Sequence, residues 1–342
     1  MPRTPFSRPV PFIRAAVPKP APPSGPPPVP HWQKPAAPTR PAFVEPAAAL
    51  PVPRWQKGQP PPPAHVPKPT WAPTKEHTEK NLLFVCVGPG KGVVPVRKEP
   101  GATYKLVEVL WHPEMIRDYE RGTYTSDADL VVLNPDRTKR KFACLADAWE
   151  EIKEDFGDFD AVAIADDDLE PRGTTWGDIF ALFHESPFVC AQPALSHDSV
   201  RPMWHHLLRD EECLYRKTNF VEVMIPMFKE RVLADLIPYF AEEKNGWGLE
   251  ALWTKICAPL GVLDGTPIRH ARPAGSAHSL SGHKEDPKRQ ADAFRARHGL
   301  VPITPAQAVT FVRYLRSGQA ERVILPHWQN PEKRTTKKNA GR

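Results

Sequence analysis

Cysteine is scarce in this sequence, and long apolar runs are absent. The five cysteines among 342 residues are widely spaced, and none forms a Cys-x-x-Cys pair. An odd, scattered set disfavours a disulfide framework and a structural zinc site, and it favours a reducing compartment. No apolar stretch reaches the length of about 18 residues that a transmembrane helix needs, and the first residues lack the apolar core of a signal peptide. The sequence therefore predicts a cytoplasmic protein without a transmembrane segment.

Proline is abundant instead, and its distribution divides the chain. Twenty-five of the 44 prolines lie within residues 1–80, where polyproline runs replace any hydrophobic periodicity. Such a segment buries too little apolar surface to offset its ordering entropy of about 1–2 kcal/mol per residue. The sequence predicts a disordered, proline-rich basic arm over residues 1–80, a folded domain over residues 81–320 and a basic tail over residues 321–342.

Charge follows the same division. Residues 1–80 hold 11 Lys and Arg against three Asp and Glu, a net charge of +8, and residues 327–342 hold five against one, a net charge of +4. Since the whole chain carries +6, residues 81–326 carry −6. Basic tails suit DNA, another polyanion or an anionic membrane surface, and they equally suit simple solubility. Composition leaves both interpretations open.

A short motif, Pro-x-Trp-Gln, recurs in the two tails. A tryptophan in a disordered arm exposes apolar area unless it docks on a partner, so the motif suggests a protein-docking function. Chance repetition in a segment rich in proline and tryptophan is the alternative. The three copies occupy residues 30–33, 53–56 and 326–329.

Apolar runs alternate with helical patterns after residue 80. This alternation predicts an α/β fold with a mixed, mostly parallel sheet flanked by helices. The first strand is predicted over residues 82–87, and a capping box at Thr304 predicts a helix that ends at Gly318. Other predicted strands are 104–110, 128–133, 159–165, 188–190, 220–226 and 261–264, and other predicted helices are 145–156, 176–184, 228–240 and 249–258.

Three consecutive aspartates, Asp166, Asp167 and Asp168, follow the strand predicted over residues 159–165. Carboxylates at the carboxyl end of a strand occupy the usual ligand crevice of an α/β sheet. Asp166 and Asp168 form an Asp-x-Asp pair, whose oxygens suit Mn²⁺ or Mg²⁺ and leave positions for a diphosphate. The alternative is a solvated acidic loop or a helix cap.

Further motifs follow these aspartates in a fixed order. The series resembles the DUF707 family, an uncharacterised group that is similar to GT-A glycosyltransferases. The resemblance covers about residues 81–275, most specifically 188–275, and neither tail. The matching motifs are Asp166-Asp167-Asp168-Leu169, Gln192-Pro193-Ala194-Leu195, Phe220-Val221-Glu222-Val223-Met224-Ile225-Pro226-Met227-Phe228, Gly246-Trp247-Gly248-Leu249-Glu250 and Val262-Leu263-Asp264 followed by His270.

The resemblance implies a metal-dependent enzyme that moves a sugar from a nucleotide-sugar donor to an acceptor hydroxyl. Asp166 and Asp168 match the metal- and diphosphate-binding pair, with Asp167 between them, and His270 matches a late histidine ligand of the metal. Gly88, at the end of the first strand, matches the place where the nucleotide rests.

The acceptor side is implied by the Gly246–Glu250 motif. Glu250 matches the acidic position of the catalytic base of an inverting enzyme, although the family usually has aspartate there. Trp247 is a candidate for stacking on a sugar or for the core. Glu222 stands in an apolar run, where an unpaired carboxylate is costly, so it contacts an acceptor hydroxyl or pairs with a cation such as Arg216.

Two functions from different classes are therefore in competition. The first is a glycosyltransferase, with a hydroxylated DNA base as one candidate acceptor because of the basic tails. The second is a non-catalytic scaffold, with a degenerate GT-A domain and docking arms that carry the Pro-x-Trp-Gln motif.

Overall fold

The computed structural model describes residues 73–90, 94, 96–200, 204–243, 245–272, 286–305 and 307–325, except for the side chains of residues 323–325. Most of the predicted arm, the three Pro-x-Trp-Gln motifs and the last part of the tail lie outside the described residues. In the part that the structure covers, no helix is long and apolar enough to cross a membrane.

Strands and helices alternate along most of the described chain. The strands are β1 (Asn81–Val87), β2 (Tyr104–Leu110), β3 (Leu130–Leu133), β4 (Ala161–Asp166), β5 (Leu169–Pro171), β6 (Cys190–Leu195), β7 (Cys213–Thr218), β8 (Met227–Lys229), β9 (Leu260–His270), β10 (Thr310–Leu315) and β11 (Ala320–Leu325). The α-helices are α1 (Pro113–Glu120), α2 (Lys141–Phe156), α3 (Trp176–Glu185), α4 (Glu230–Glu242), α5 (Glu250–Ile256) and α6 (Pro287–Arg297).

The strands form one sheet in the order β11-β10-β7-β9-β6-β8-β4-β1-β2-β3, and β5 pairs with β9. β1 to β4 are parallel to one another, and β6 is parallel to β9. Since β8 is antiparallel to both β4 and β6, these two groups run in the same direction. The carboxyl ends of β1, β4, β6 and β9 therefore lie along one edge, which confirms a mixed sheet with a mostly parallel centre.

Helices cover both faces of this sheet. Leu82 and Phe84 of β1 pack in a cluster with α2, α4 and α5, whereas Leu83 and Val85 pack in a second cluster with α3. Alternate residues of β1 thus enter opposite layers, and all four side chains are buried. A strand covered on both faces explains the continuous apolar run in the sequence.

The helix predicted from Thr304 to Gly318 is wrong. Thr304 and Gln307 make the expected local contacts, with Gln307 N–H donating to Thr304 O at 2.8 Å, but only a turn results. β10 follows, and it pairs with β7 on one side and β11 on the other. Threonine, phenylalanine, valine and tyrosine suit a strand, and cross-strand pairing outweighs the local helix signal.

The segment at residues 220–226 is also not the strand that its apolar pattern predicts. It forms a turn at the carboxyl edge, and regular pairing begins only at β8. Glu222 N–H donates to the side-chain Oε1 of Gln192 at 2.6 Å rather than to a neighbouring strand. The carbonyls of Met224 and Pro226 still accept from the N–H groups of Asp166 and Ile164, so the segment borders β4 without forming a regular ladder.

Both expected domain boundaries differ from the structure. Thr74, within the predicted arm, donates its backbone N–H to Glu185 Oε1 at 2.7 Å, and His77 Nε2 lies 3.2 Å from the same oxygen. At the other end, β11 continues to Leu325, beyond the boundary expected at residue 320. Polar contacts to α3 and pairing with β10 extend the folded part in both directions.

Candidate functional site

The three aspartates lie where β4 ends, and each has a different partner. Asp166 is the last residue of β4, and its Oδ1 accepts from Lys141 Nζ at 2.7 Å. Lys141 begins α2 and also donates to the carbonyl of Met224 at 2.6 Å. The ammonium group is almost buried, whereas the carboxylate is 42% exposed. Asp166 is therefore engaged by a lysine that sequence reasoning missed.

Asp167 joins the end of β1 to the chain after β9. Its Oδ2 accepts from Gly88 N–H at 2.7 Å, and its Oδ1 accepts from the guanidinium of Arg272. Burial raises the pKa of Asp167 to about 6, against the opposing charge of Arg272. Asp167 thus fixes the position of both groups at this edge of the sheet.

Gly88 is needed at the end of β1 because an indole ring lies against its backbone. A Cβ atom on Gly88 would lie 2.6 Å from Cζ2 of Trp111, which is buried. The guanidinium of Arg140, just before α2, stacks on the same indole with 4.6 Å between its carbon and the ring centroid. This corner places an aromatic ring and a cation beside the acidic triplet, and neither was expected from the sequence.

Asp168 and His270 meet, as the sequence predicts for two residues of one site. His270 Nε2 lies 3.1 Å from Asp168 Oδ2, which also accepts from Arg272 Nε at 3.0 Å. Pairing of β5 with β9 sets Leu169 opposite His270, and Ala271 N–H donates to Asp168 O at 2.8 Å. The contact is therefore fixed by backbone pairing.

Electrostatics favour the charged forms of this pair. Burial alone would oppose it, but the hydrogen bond and charge of His270 hold the pKa of Asp168 below its usual value. Burial likewise opposes charge on His270, yet Asp168 raises its pKa. The second carboxylate oxygen, Asp168 Oδ1, is buried and has no hydrogen-bond partner among the described residues. An acceptor left unpaired at a buried position is costly unless a ligand reaches it.

The predicted metal set of Asp166, Asp168 and His270 is assembled only in part. In the residues that the structure covers, no three His, Cys, Asp or Glu side chains are grouped to hold a metal ion. Asp168 and His270 are together, but Asp166 is ion-paired with Lys141. The oxygen of this set that has no partner among the described residues is Asp168 Oδ1.

Glu250 lies at the start of α5, on the same edge of the sheet. Its Oε2 accepts from Gly248 N–H at 2.9 Å, and burial raises its pKa. Gly248 has a φ of +95°, so the turn needs glycine. Trp247 is 43% exposed rather than part of the core, and its N–H donates to Asn245 Oδ1 at 2.8 Å.

Glu222 does not pair with Arg216, the partner that the sequence left open. Arg216 donates from Nε and Nη2 to both oxygens of Asp264, at 2.8 and 2.9 Å, and it also donates to two backbone carbonyls. Burial raises the pKa of Glu222 to about 7, against the opposing charge of His270. Glu222 therefore belongs to the candidate site electrostatically.

The sequence analysis did not identify the two cations of this site, Arg272 and Lys141, although a weak signal was available for Arg272. Arg272 stands two residues after His270, so any arrangement that brings His270 to the aspartates also brings Arg272. Lys141 had no such signal, because the predicted start of its helix at residue 145 excluded it.

No protein-family model matches the chain, and no curated protein matches it. Among solved structures, S. aureus TarS 1–349 is similar with a TM-score of 0.40 and 12% identity, over 64% of this chain and 71% of that chain. GalNAc-T7, crystallised with UDP, GalNAc and Mn²⁺, gives 0.40 and 10%, over 65% of this chain and 48% of that chain. A197 from STIV gives 0.31 and 10%, over 73% and 99%. At TM-scores of 0.40 and below, the assignment of function depends on the geometry of this chain's own site.

Proposed function

We propose that this chain is a glycosyltransferase that takes a sugar from a nucleotide-sugar donor at the carboxyl edge of β4 and β9. The observation that carries the proposal is the contact between Asp168 and His270, 3.1 Å apart, beside a buried and unpaired carboxylate oxygen. The unpaired oxygen follows the carboxyl end of β4, the edge at which α/β sheets commonly bind ligands, and a bound group would satisfy it.

The donor set at this corner suits Mn²⁺ or Mg²⁺. Asp168 and His270 would hold the cation once the imidazole has released its proton, and a site with few protein ligands leaves positions for diphosphate oxygens. When bound, the cation supplies positive charge that offsets the charge growing on the departing nucleoside diphosphate. Asp166 would bind the cation only after releasing Lys141, so we do not count it among the metal ligands of the free protein.

The chain's own cations complete the donor side. Arg272 donates to Asp167 and Asp168, and Lys141 donates to Asp166, so each lies within reach of a diphosphate placed between them. Gly88 lets the indole of Trp111 lie against the end of β1, the place where we put the nucleoside. Preorganised positive groups of this kind stabilise the charge of a leaving group.

Glu250 is the proposed base on the acceptor side. Burial raises its pKa, which makes its carboxylate a stronger proton acceptor than that of an exposed glutamate. If it acts on the face of the sugar opposite the diphosphate, transfer inverts the configuration. Trp247, exposed on the same loop, offers a ring face to a sugar.

The test is donor binding measured by thermal shift. The full chain is heated with a panel of nucleotide sugars, each with Mn²⁺, with Mg²⁺ or with EDTA. We expect one donor to raise Tm in the presence of the cation, because a ligand bound only by the folded state stabilises it. Asp168→Ala and His270→Ala should lose this increase, whereas Glu154→Gln, an exposed substitution on α2, should keep it.

Hydrolysis of the donor separates an enzyme from a scaffold. Release of the nucleoside diphosphate is measured for the wild type and for Asp168→Ala. Activity in the wild type that falls at least tenfold in the variant supports the enzyme. Activity in neither, together with no donor that raises Tm, would instead support the non-catalytic scaffold.

The basic tails lead to a separate proposal, that the chain is retained on DNA and that a hydroxylated base is one acceptor. The net charge of +8 over residues 1–80 predicts salt-dependent binding to the phosphate backbone. Deleting residues 1–72, which leaves the contacts of Thr74 and His77 in place, should abolish retention on a DNA column at low salt. Unchanged retention would eliminate this proposal and leave the donor site untouched.

A further inference from the structure

Glu222 occupies a rigid position that the proposed reaction has not yet used. Three contacts fix the turn that carries it: Gln192 accepts from its N–H, Trp253 Nε1 donates to Val221 O at 2.9 Å, and Lys141 donates to Met224 O. The bonds come from β6, α5 and α2. The backbone of Glu222 is thus held from three directions at the carboxyl edge of the sheet.

Nothing among the described residues accounts for its carboxylate. The side chain makes no hydrogen bond or ion pair in that part of the chain, and it is partly buried. Arg216, the nearest sequence candidate, has its guanidinium engaged by Asp264 and by the carbonyls of His206 and Leu208. A partly buried carboxylate that is held in place by its backbone and has no partner of its own is suited to a ligand that donates a hydrogen bond to it.

The charges that act on Glu222 place it inside the candidate site. They come from Asp166, Lys141, His270 and Glu250. The backbone contacts agree, because Lys141 bonds both Asp166 and Met224, and Trp253, on the helix that Glu250 begins, bonds Val221. Glu222 therefore lies between the donor corner and the proposed base, where an acceptor must enter. The position is independent of Glu250, whose own carboxylate accepts from Gly248 N–H.

We propose that Glu222 positions the acceptor by accepting a hydrogen bond from a hydroxyl next to the one that reacts, and that the acceptor is therefore an uncharged saccharide. The inference rests on the proposed function. Two carboxylates, Glu222 and Glu250, face this side, so an anionic group there would be repelled. Vicinal hydroxyls would donate hydrogen bonds to both carboxylates.

The step balances without another reactant. The reacting hydroxyl passes its proton to Glu250 while its oxygen forms a bond to the anomeric carbon. The bond from that carbon to the diphosphate oxygen breaks, and its electron pair leaves with the nucleoside diphosphate. Glu222 gains and loses no proton, since it only holds the neighbouring hydroxyl.

The experiment uses the full chain, Mn²⁺, UDP-glucose or UDP-GlcNAc, and a panel of methyl glycosides as acceptors. Hydrolysis is measured as UDP release without a glycoside, and transfer as glycosylated product by mass spectrometry. We expect transfer to at least one glycoside. Glu222→Gln should raise the KM for that glycoside about tenfold and lower the ratio of transfer to hydrolysis by a similar factor, because a charge-assisted hydrogen bond is lost. Glu222→Asp should recover part of it, and Glu154→Gln should change neither.

Three outcomes would overturn the inference while the proposed function stands. These are an unchanged acceptor KM in Glu222→Gln, an equal fall of hydrolysis and transfer, and transfer to hydroxymethylated DNA but to no glycoside. A glycoside panel that accepts no sugar from an enzyme that hydrolyses its donor also refutes it. A wild-type chain that neither binds nor hydrolyses any nucleotide sugar refutes the proposed function, and the inference falls with it.

Discussion

Replacing Glu222 with glutamine should stabilise the folded chain at alkaline pH. Burial, with the negative charges of Glu250 and Asp166, raises the pKa of Glu222 from 4.5 to about 7. The folded state therefore opposes ionisation of this carboxyl. Glutamine has nearly the same shape and carries no charge. The substitution therefore removes the free-energy cost of ionising residue 222 in the folded state and changes little else.

The sign follows from the protons that each state binds. Between pH 4.5 and about 7, the folded chain keeps a proton on Glu222 that the unfolded chain has lost. Stability therefore falls as pH rises through this window, and the penalty is complete above it. At about 1.4 kcal/mol for each pH unit, the ionised carboxylate costs about 3 kcal/mol above pH 8 and less than about 1 kcal/mol at pH 5.

The assay is urea unfolding of both proteins at pH 5 and pH 8, followed by tryptophan fluorescence. We expect Glu222→Gln to exceed the wild type by about 2–3 kcal/mol at pH 8 and by less than about 1 kcal/mol at pH 5. Glu154→Gln, exposed on α2, controls for the loss of a charge and should stay within about 0.5 kcal/mol. Equal stability at pH 8, or a difference that does not shrink at pH 5, would refute this account of Glu222.

Two further substitutions test the structure around the site. Asp264→Asn should cost about 3–5 kcal/mol in urea unfolding, because it leaves the buried guanidinium of Arg216 without its carboxylate; a loss below about 1 kcal/mol would contradict the pairing. Gly261→Ala should cost about 1–3 kcal/mol, because its Cβ would lie 2.0 Å from the ring of Phe188, and the loss should shrink in a Phe188→Leu background if that contact is the cause.

The sequence predicted the layered α/β fold because burial repeats along it. β1 and β4 read as continuous apolar runs since both faces of each strand are covered, and the amphipathic stripe of α4 lies within two residues of its prediction. The residues from Thr304 to Gly318 could not be assigned in this way. Their local signal favours a helix, and only pairing of β10 with β7 and β11, distant in sequence, decides for a strand.

The part of the candidate site that the sequence predicted is the part that β9 brings together by pairing with β5. Asp168 and His270 come together because β5 pairs with β9, and a resemblance in motif order was enough to join them. The choice of partner was not predictable. Glu222 and Asp264 are both acidic residues in apolar runs, yet Arg216 pairs with Asp264 because β7 lies beside β9. The order of the strands in the sheet decides which carboxylate remains unpaired, and the sequence alone does not give that order.

The acidic triplet looks uniform in the sequence, but the fold gives each aspartate a different task. Asp166 holds Lys141, Asp167 ties Gly88 to Arg272, and Asp168 faces His270 with one oxygen unpaired. Three free carboxylates side by side would repel one another, and the cations of Lys141 and Arg272 offset that repulsion. On the proposed function, the protein does not need to supply every ligand of the metal. The donor diphosphate would add its own oxygens to Asp168 and His270, beside the cations Lys141 and Arg272. On the same proposal, the metal and the donor would enter this corner together, with the unpaired oxygen of Asp168 open to the metal.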